Sequence, residues 1–219
     1  MKIICGVDEA GRGPLIGPLI VAGIAIKESD ISKLTDLEVK DSKLHSPNRR
    51  QELFEEIKKI AHSYEIITVP AQEIDSRCDV GMNLNKLEAL KVANVLDKLN
   101  PNVAYVDSPT SPDGAHFKHL IKEHLENHNI DIHAGHKFDH KYPVVSAASI
   151  LAKVTRDSEV KRIEKEVGES IGSGYPADEI TQKFLREHLN NSVSKYIRKT
   201  WATWKNLQAE KDQSSLGEF

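Results

Sequence analysis

Val7-Asp8-Glu9-Ala10-Gly11-Arg12-Gly13-Pro14 ends the apolar opening run of the chain with two adjacent carboxylates, then places glycines on either side of an arginine. An apolar run stopped by glycine and proline predicts a buried strand leading into a turn. Two carboxylates side by side are costly to bury, because each raises the pKa of the other unless a cation neutralises both. Arg12 stands on an open turn where the backbone can approach a ligand closely, so a divalent metal answers that charge better. Along a strand Asp8 and Glu9 point to opposite faces. The strand is therefore expected to end near them, so that one side chain points into the site while the other reaches it over the strand's end or offers its main-chain carbonyl instead. A solitary Asp-Glu pair is ordinarily solvated surface, so the rest of the chain has to decide the matter.

The 219 residues allow one well-buried domain with a small appendage. With 39% hydrophobic and 29% charged residues the chain is neither disordered nor membrane-embedded by composition. Its longest apolar run, residues 15–26, holds Gly17, Pro18 and Gly23 and is too short to span a bilayer. No basic, then apolar, then small-residue pattern opens the sequence, and Cys5 and Cys78 are expected to remain reduced thiols, so a cytoplasmic protein is expected. The net charge of -3 does not exclude a polyanionic partner, since local potential rather than the total meets phosphate.

Periodicity predicts an α/β chain without internal repeats: strands at 1–7, 19–26, 64–69, 103–106 and 130–134, and helices from Pro47 to about His62 and over 84–99, 115–126 and 143–167. Asp41-Ser42-Lys43 lies in a polar connection. The strand 103–106 delivers Asp107 into a loop broken by Pro109, repeating the pattern of Asp8. Asp139 stands in the loop before the helix 143–167, whose small apolar face is Val144, Ala147, Ala148, Leu151 and Val154. Acids at the carboxyl ends of strands converge at one sheet edge, where α/β proteins place their ligands. From Ile171 the pattern changes, giving a division into a catalytic domain over 1–169, a helical C-terminal extension over 170–205 and a flexible tail over 206–219.

Asp8, Glu9, Asp107 and Asp139 offer hard oxygen ligands that suit Mg2+ or Mn2+ rather than zinc. Without a nucleophilic serine or cysteine motif, the simplest chemistry is phosphodiester hydrolysis assisted by two ions about 3.5 to 4 Å apart. Asp131 competes with Asp139 for the fourth place. Lys43, Lys137, Lys141, Lys153 and Arg156 are candidate phosphate contacts, Lys43 and Lys153 foremost. The acid-free stretch 195–205 reads either as a surface for a duplex backbone or as a basic helix whose tryptophans pack on the core. A zinc-binding protein is the alternative from metal chemistry, since seven of the ten histidines fall between His116 and His140 and His124 and His128 are one helical turn apart.

Five blocks carry a resemblance over nearly the whole chain: Asp8 to Pro14, Asp41 to Lys43, Asn83 to Ala89, Val106 to Pro109, and Lys141-Tyr142-Pro143-Val144-Val145-Ser146-Ala147-Ala148-Ser149 running on to Val154. Together they resemble ribonuclease HII, the type 2 ribonuclease H family, and Gly172-Ser173-Gly174-Tyr175-Pro176 resembles its archaeal branch. The resemblance implies a ribonuclease H-like mixed central sheet flanked by helices, with a small C-terminal helical extension. Asp8, Glu9, Asp107 and Asp139 become the catalytic acids and the ligands of two Mg2+ or Mn2+ ions. The implied activity is cleavage of the RNA strand of RNA/DNA hybrids. It extends to nicking on the 5′ side of single ribonucleotides in duplex DNA, leaving 3′-hydroxyl and 5′-phosphate ends, as ribonucleotide excision repair requires. Sensing of the 2′-hydroxyl falls to the backbone of Gly11, Arg12 and Gly13, with Tyr175 stacking on the neighbouring deoxyribose. A monomer is expected. The final residues Gln213-Ser214-Ser215-Leu216-Gly217-Glu218-Phe219 resemble the box by which a partner binds the sliding clamp, on a tether that folds on binding. A non-catalytic binder of RNA/DNA hybrids is the other alternative, against which the four acids argue.

Overall fold

A computed structural model of the chain describes residues 1–39, 45–109, 114–188 and 192–216. Five strands, β1 (Ile3–Ala10), β2 (Leu19–Lys27), β3 (Ser63–Val69), β4 (Val103–Asp107) and β5 (Asp131–Gly135), form one sheet in the order β3-β2-β1-β4-β5. β1 runs antiparallel to β2 and parallel to β4, and β4 runs parallel to β5, so the sheet is mixed. The described helices are α1 (Ile31–Asp36), α2 (Pro47–Ile60), α3 (Ala71–Ser76), α4 (Leu84–Leu99), α5 (Ala115–His124), α6 (Phe138–Lys141), α7 (Pro143–Val167), α8 (Glu179–Glu187) and α9 (Ala202–Leu216).

The sheet is covered on both faces, as the near-continuous apolar run of β2 requires: all of it but Lys27 is buried. On one face α7 approaches closely because β1 offers a glycine there; a Cβ on Gly6 would stand 2.2 Å from the Val144 carbonyl. Ile4, Ile24, Val144, Ala148 and Leu151 share the resulting core with Leu53 and Ile57 of α2. On the other face Gly23 admits Val95 and Leu99 of α4.

The chain forms two compact units. One comprises Met1–Ala10, Ile20–Thr68 and Asn83–Thr155, the other Gly11–Leu19, Val69–Met82 and Arg156–Phe219. This division differs from the sequential one expected at 169 and 205, and hydrogen bonds explain why. Gly174 accepts from Leu15 N–H at 2.6 Å, and Gly17 N–H donates to Tyr196 at 2.8 Å. The Asp75 carboxylate takes the N–H groups of Lys199 and Thr200 at 2.7 and 3.1 Å. The second unit is thus gathered from three separate stretches around its own core of Leu15, Ile16, Ile163, Phe184, Leu185 and Trp204. α9 also carries helix past residue 206, where the tail was expected to begin, as far as Leu216.

Three further expectations change. β1 continues through Glu9 to Ala10, pairing Asp8 with Ala22 and Glu9 with Val21, because β2 supplies a partner beyond the expected end. α5 stops at His124, and the following Leu125 is extended, so His124 and His128 are not on one helical face. Asp139 lies in the short helix α6 rather than in a loop. Among the described residues no helix is long and apolar enough to cross a membrane.

Candidate active site

Asp8 and Asp107 follow Val7 and Val106, the last pair in the parallel β1–β4 ladder, so the two carboxylates leave one face of adjacent strands at the same edge. Asp8 is buried. Burial pushes its carboxyl well above the ordinary carboxylate range, and the charges of Glu9 and Asp107 push the same way. Hydrogen bonds from the Ser149 side chain and the Glu9 N–H oppose them. Asp107 is also raised, by burial first and by Asp139 among its neighbours, against the Phe138 N–H that donates to it at 2.7 Å. Charge interactions therefore link Asp8 to both Glu9 and Asp107, and Asp107 in turn to Asp139. Asp131 pairs with Val103 at the opposite end of β5 from Gly135, and its carboxylate accepts from His133 at 3.0 Å.

Because β1 runs on, Glu9 points away from the face that Asp8 shares with Asp107. Among the described residues the group whose ligand atoms all stand within 4.8 Å of one another is Glu169, Glu187 and His188, so no three of the four acids reach that spacing. Their donor set is nonetheless all carboxylate oxygen, and burial, aided by neighbouring acids, raises Asp8 and Asp107 in pKa. Those are the conditions that a hard divalent cation relieves, so the residues fit Mg2+ or Mn2+.

Two serines missed in the sequence hold this arrangement. Ser146 donates to the carbonyls of Asp139 and Tyr142, and Ser149, one turn on, bonds the Asp8 carboxylate. Lys153 follows at the next turn of α7 and is exposed. The available signal was a pair of hydroxyls within a stripe of small apolar residues, where a buried polar group demands a partner.

The second unit contains the other predicted residues. Gly11 has φ +86°, in the left-handed region that glycine favours. Gly13 and Tyr175, far apart in sequence, meet: a Cβ on Gly13 would stand 3.2 Å from the Tyr175 ring, which is half exposed. Arg156 and Arg198 are both buried, so neither is a surface contact for phosphate. Trp204 is buried and Trp201 partly so, as the packing reading of 195–205 expects, and Lys195 pairs with Glu166, but the stretch is not one helix: a 3-10 turn ends at Tyr196 and α9 begins only at Ala202. Lys141 lies over the Tyr142 ring at 5.0 Å. Lys43, with Asp41 and Ser42, lies outside the described residues, as do Gly217 to Phe219.

A mixed sheet with aspartates at the ends of adjacent parallel strands, and a donor set fit for a hard cation, defines the class: a ribonuclease H-like fold with a metal-dependent hydrolytic site. The ribonuclease HII family profile matches residues 5–204. Ribonuclease HII of Methanococcus maripaludis is 45% identical over 98% of this chain and 91% of its own length. Ribonuclease H2 of Pyrococcus horikoshii matches in structure with a TM-score of 0.86 at 38% identity, over 97% of this chain and all of that one. The ribonuclease HII in the PCNA complex from Archaeoglobus fulgidus matches with a TM-score of 0.79, also at 38% identity, over 91% and 95% of the two chains. The chain belongs to the ribonuclease HII family of metal-dependent endoribonucleases.

Proposed function

We propose that this ribonuclease hydrolyses the RNA strand of RNA/DNA hybrids and nicks duplex DNA on the 5′ side of a single embedded ribonucleotide, leaving 3′-hydroxyl and 5′-phosphate ends. Asp8, Asp107 and Asp139, with Glu9 through its side chain or its main-chain carbonyl, would hold two Mg2+ or Mn2+ ions, whose Lewis acidity would serve the attacking water and the leaving oxygen. The observation that carries this reading is the placement of Asp8 and Asp107 at one edge of adjacent parallel strands, both raised in pKa by burial and by neighbouring acids.

Gly11, Arg12 and Gly13 read the ribose through their main chain, Tyr175 stacks on the neighbouring sugar, and Lys43 and Lys153 meet phosphate. The contact of Gly13 with the half-exposed Tyr175 ring supports the first two assignments. Incubating wild type and Asp8→Asn with duplex DNA holding one ribonucleotide, with and without Mg2+, tests the whole. A single metal-dependent nick at the 5′ side is expected for wild type alone, and metal-independent cleavage or a nick by the variant overturns it.

The motif Gln213 to Phe219 binds the sliding clamp, a reading supported by the structure of the related ribonuclease HII with PCNA. Deleting those residues is expected to abolish clamp binding and leave cleavage intact, and unchanged clamp affinity defeats this part.

A further inference from the structure

The turn 11–17 is gripped from inside the second unit by cationic side chains. Arg198 is fully buried, and its Nη2 donates to the carbonyls of Gly11 and Gly17 at 2.6 and 2.9 Å. Its Nη1 donates to Arg12 at 2.8 Å and its Nε to Gly17 at 3.1 Å. Arg156 donates to Ile16 at 2.6 Å and fills the space where a Cβ on Gly11 or Gly17 would collide with it. The Trp201 indole reaches the Gly13 carbonyl at 3.3 Å, its ring flanked by the guanidiniums of Arg77 and Arg198 at 5.2 and 5.1 Å. Position is fixed from outside the turn as well, since Ile197 bridges to Ile16 and Arg198 N–H donates to Leu15 at 2.8 Å.

Burying a guanidinium is expensive, and an apolar side chain of similar volume would pack that space with less penalty. What the cation adds is direction. In a trans peptide the carbonyl of one residue and the N–H of the next point to opposite sides. No peptide here is cis. Gly11 and Arg12 carbonyls turned onto Arg198 therefore turn the N–H groups of Arg12 and Gly13 away from it. A carbonyl that accepts from a charged donor also polarises its own peptide, making the opposite N–H a stronger donor.

We propose that Arg198, seconded by Arg156 and Trp201, is a positioning and specificity-determining residue: a buried cation that never touches substrate orients the main chain of Gly11 to Gly13 toward the ribose 2′-hydroxyl. This rests on the reading that those residues recognise the ribonucleotide. Selection for RNA then depends on an arginine nearly two hundred residues away in sequence.

The test compares wild type, Arg198→Gln, Arg198→Lys and Trp201→Phe, each checked by thermal melting, on duplex DNA with one ribonucleotide and on the same duplex all-DNA. For Arg198→Gln, kcat for nicking is expected to fall at least about tenfold, as misplacement of a recognition element predicts. KM and the Kd for the all-DNA duplex are expected to stay within about twofold, because phosphate contacts elsewhere are intact. Free guanidinium at millimolar concentration is expected to restore part of kcat. Arg198→Lys keeps the charge but not the fork and falls between, while Trp201→Phe loses one hydrogen bond and costs about threefold in kcat. A merely structural arginine would lower the melting temperature and the yield but leave kcat of the folded fraction unchanged. That result for Arg198→Gln overturns the inference. Should Arg198→Gln not fold, wild-type kcat in both Arg198→Lys and Trp201→Phe overturns it. Wild type that fails to nick the ribonucleotide duplex removes the underlying reading and this inference with it. Wild type that nicks beside a fully active Arg198→Gln removes the inference alone.

Discussion

The acid-bearing edge of the sheet and the glycine turn that follows it in sequence are organised on opposite electrostatic principles. At the sheet edge like charges are assembled with only partial relief from hydrogen bonds: Asp8 and Asp107 sit high in pKa because burial and neighbouring carboxylates disfavour their ionised forms. At the turn, opposite charge meets dipole, Arg198 drawing in the carbonyls of Gly11, Arg12 and Gly17. The first region keeps an electrostatic cost that a cation would relieve, whereas the second is complete within the chain. Removing a charge should therefore act with opposite sign in the two places.

The largest expected effect separates them at once. Asp8→Asn should lose about a thousandfold or more in single-turnover nicking, the loss expected when several kcal/mol of metal-supplied stabilisation go. Yet without metal and at alkaline pH its melting temperature should equal or exceed that of wild type, by about 2 to 4 °C for roughly 1 kcal/mol in a chain of this size. The direction follows from the raised pKa. The penalty for ionising Asp8 applies above its folded-state pKa and disappears as pH falls to the ordinary carboxylate range, so the variant's advantage should vanish there. Adding Mg2+ should reverse the order, since only wild type gains by ligand linkage. Arg198→Gln, by contrast, should lower the melting temperature at every pH, because it leaves buried carbonyls unmet. A destabilised metal-free Asp8→Asn, or a stabilised Arg198→Gln, would break the comparison.

Ser149→Ala sharpens it within the sheet region. The hydroxyl bonds the Asp8 carboxylate and lowers its pKa against burial, so its loss should raise that pKa further and weaken metal capture. A hydrogen bond to a charged group contributes roughly 1.5 to 3 kcal/mol, so a loss of about tenfold in kcat/KM at limiting Mg2+ is expected. Saturating Mg2+ should recover most of it. A defect that metal does not repair would mean that Ser149 acts by packing alone.

Legibility in the sequence follows the same split. A carboxylate at the end of an apolar strand announces itself, because few structures excuse an acid there, and Asp8 and Asp107 were readable for that reason. So was the α/β character, from strand and helix periods, while the mixed sheet came from the resemblance. Arg156 and Arg198 were not readable. Local sequence gives a basic residue every appearance of surface, and what buries it is a set of backbone oxygens contributed by residues far along the chain. Ser149 was hidden in a small-residue stripe whose period is right for packing. The composition of the second unit was equally out of reach, since no local pattern tells that Val69–Met82 joins residues after 156 through Asp75.

The smallest effect concerns how the loop of Tyr175 is held. Asp178 caps α8 by accepting from Ile180 N–H at 2.9 Å and closes the loop by accepting from Ser173 N–H at 2.6 Å; hydrogen bonding from the Ser173 side chain first, and from these N–H groups, holds its carboxyl down at about 2. Here an acid near solvent does for one loop what a buried arginine does for the turn, with less at stake because water competes for every bond. Replacing Asp178 by alanine should cost about 1 kcal/mol, as loss of a helix N-cap does, and Asp178→Asn should keep most of the cap. The sign is that of a depressed acid: the stabilisation is full above the ordinary aspartate range and is lost as pH falls toward 2. The melting difference between wild type and Asp178→Ala should therefore close on acidification while KM for the ribonucleotide duplex rises at neutral pH with kcat unchanged. A difference that persists undiminished at the acid end would show that the carboxylate charge is not what orders the loop.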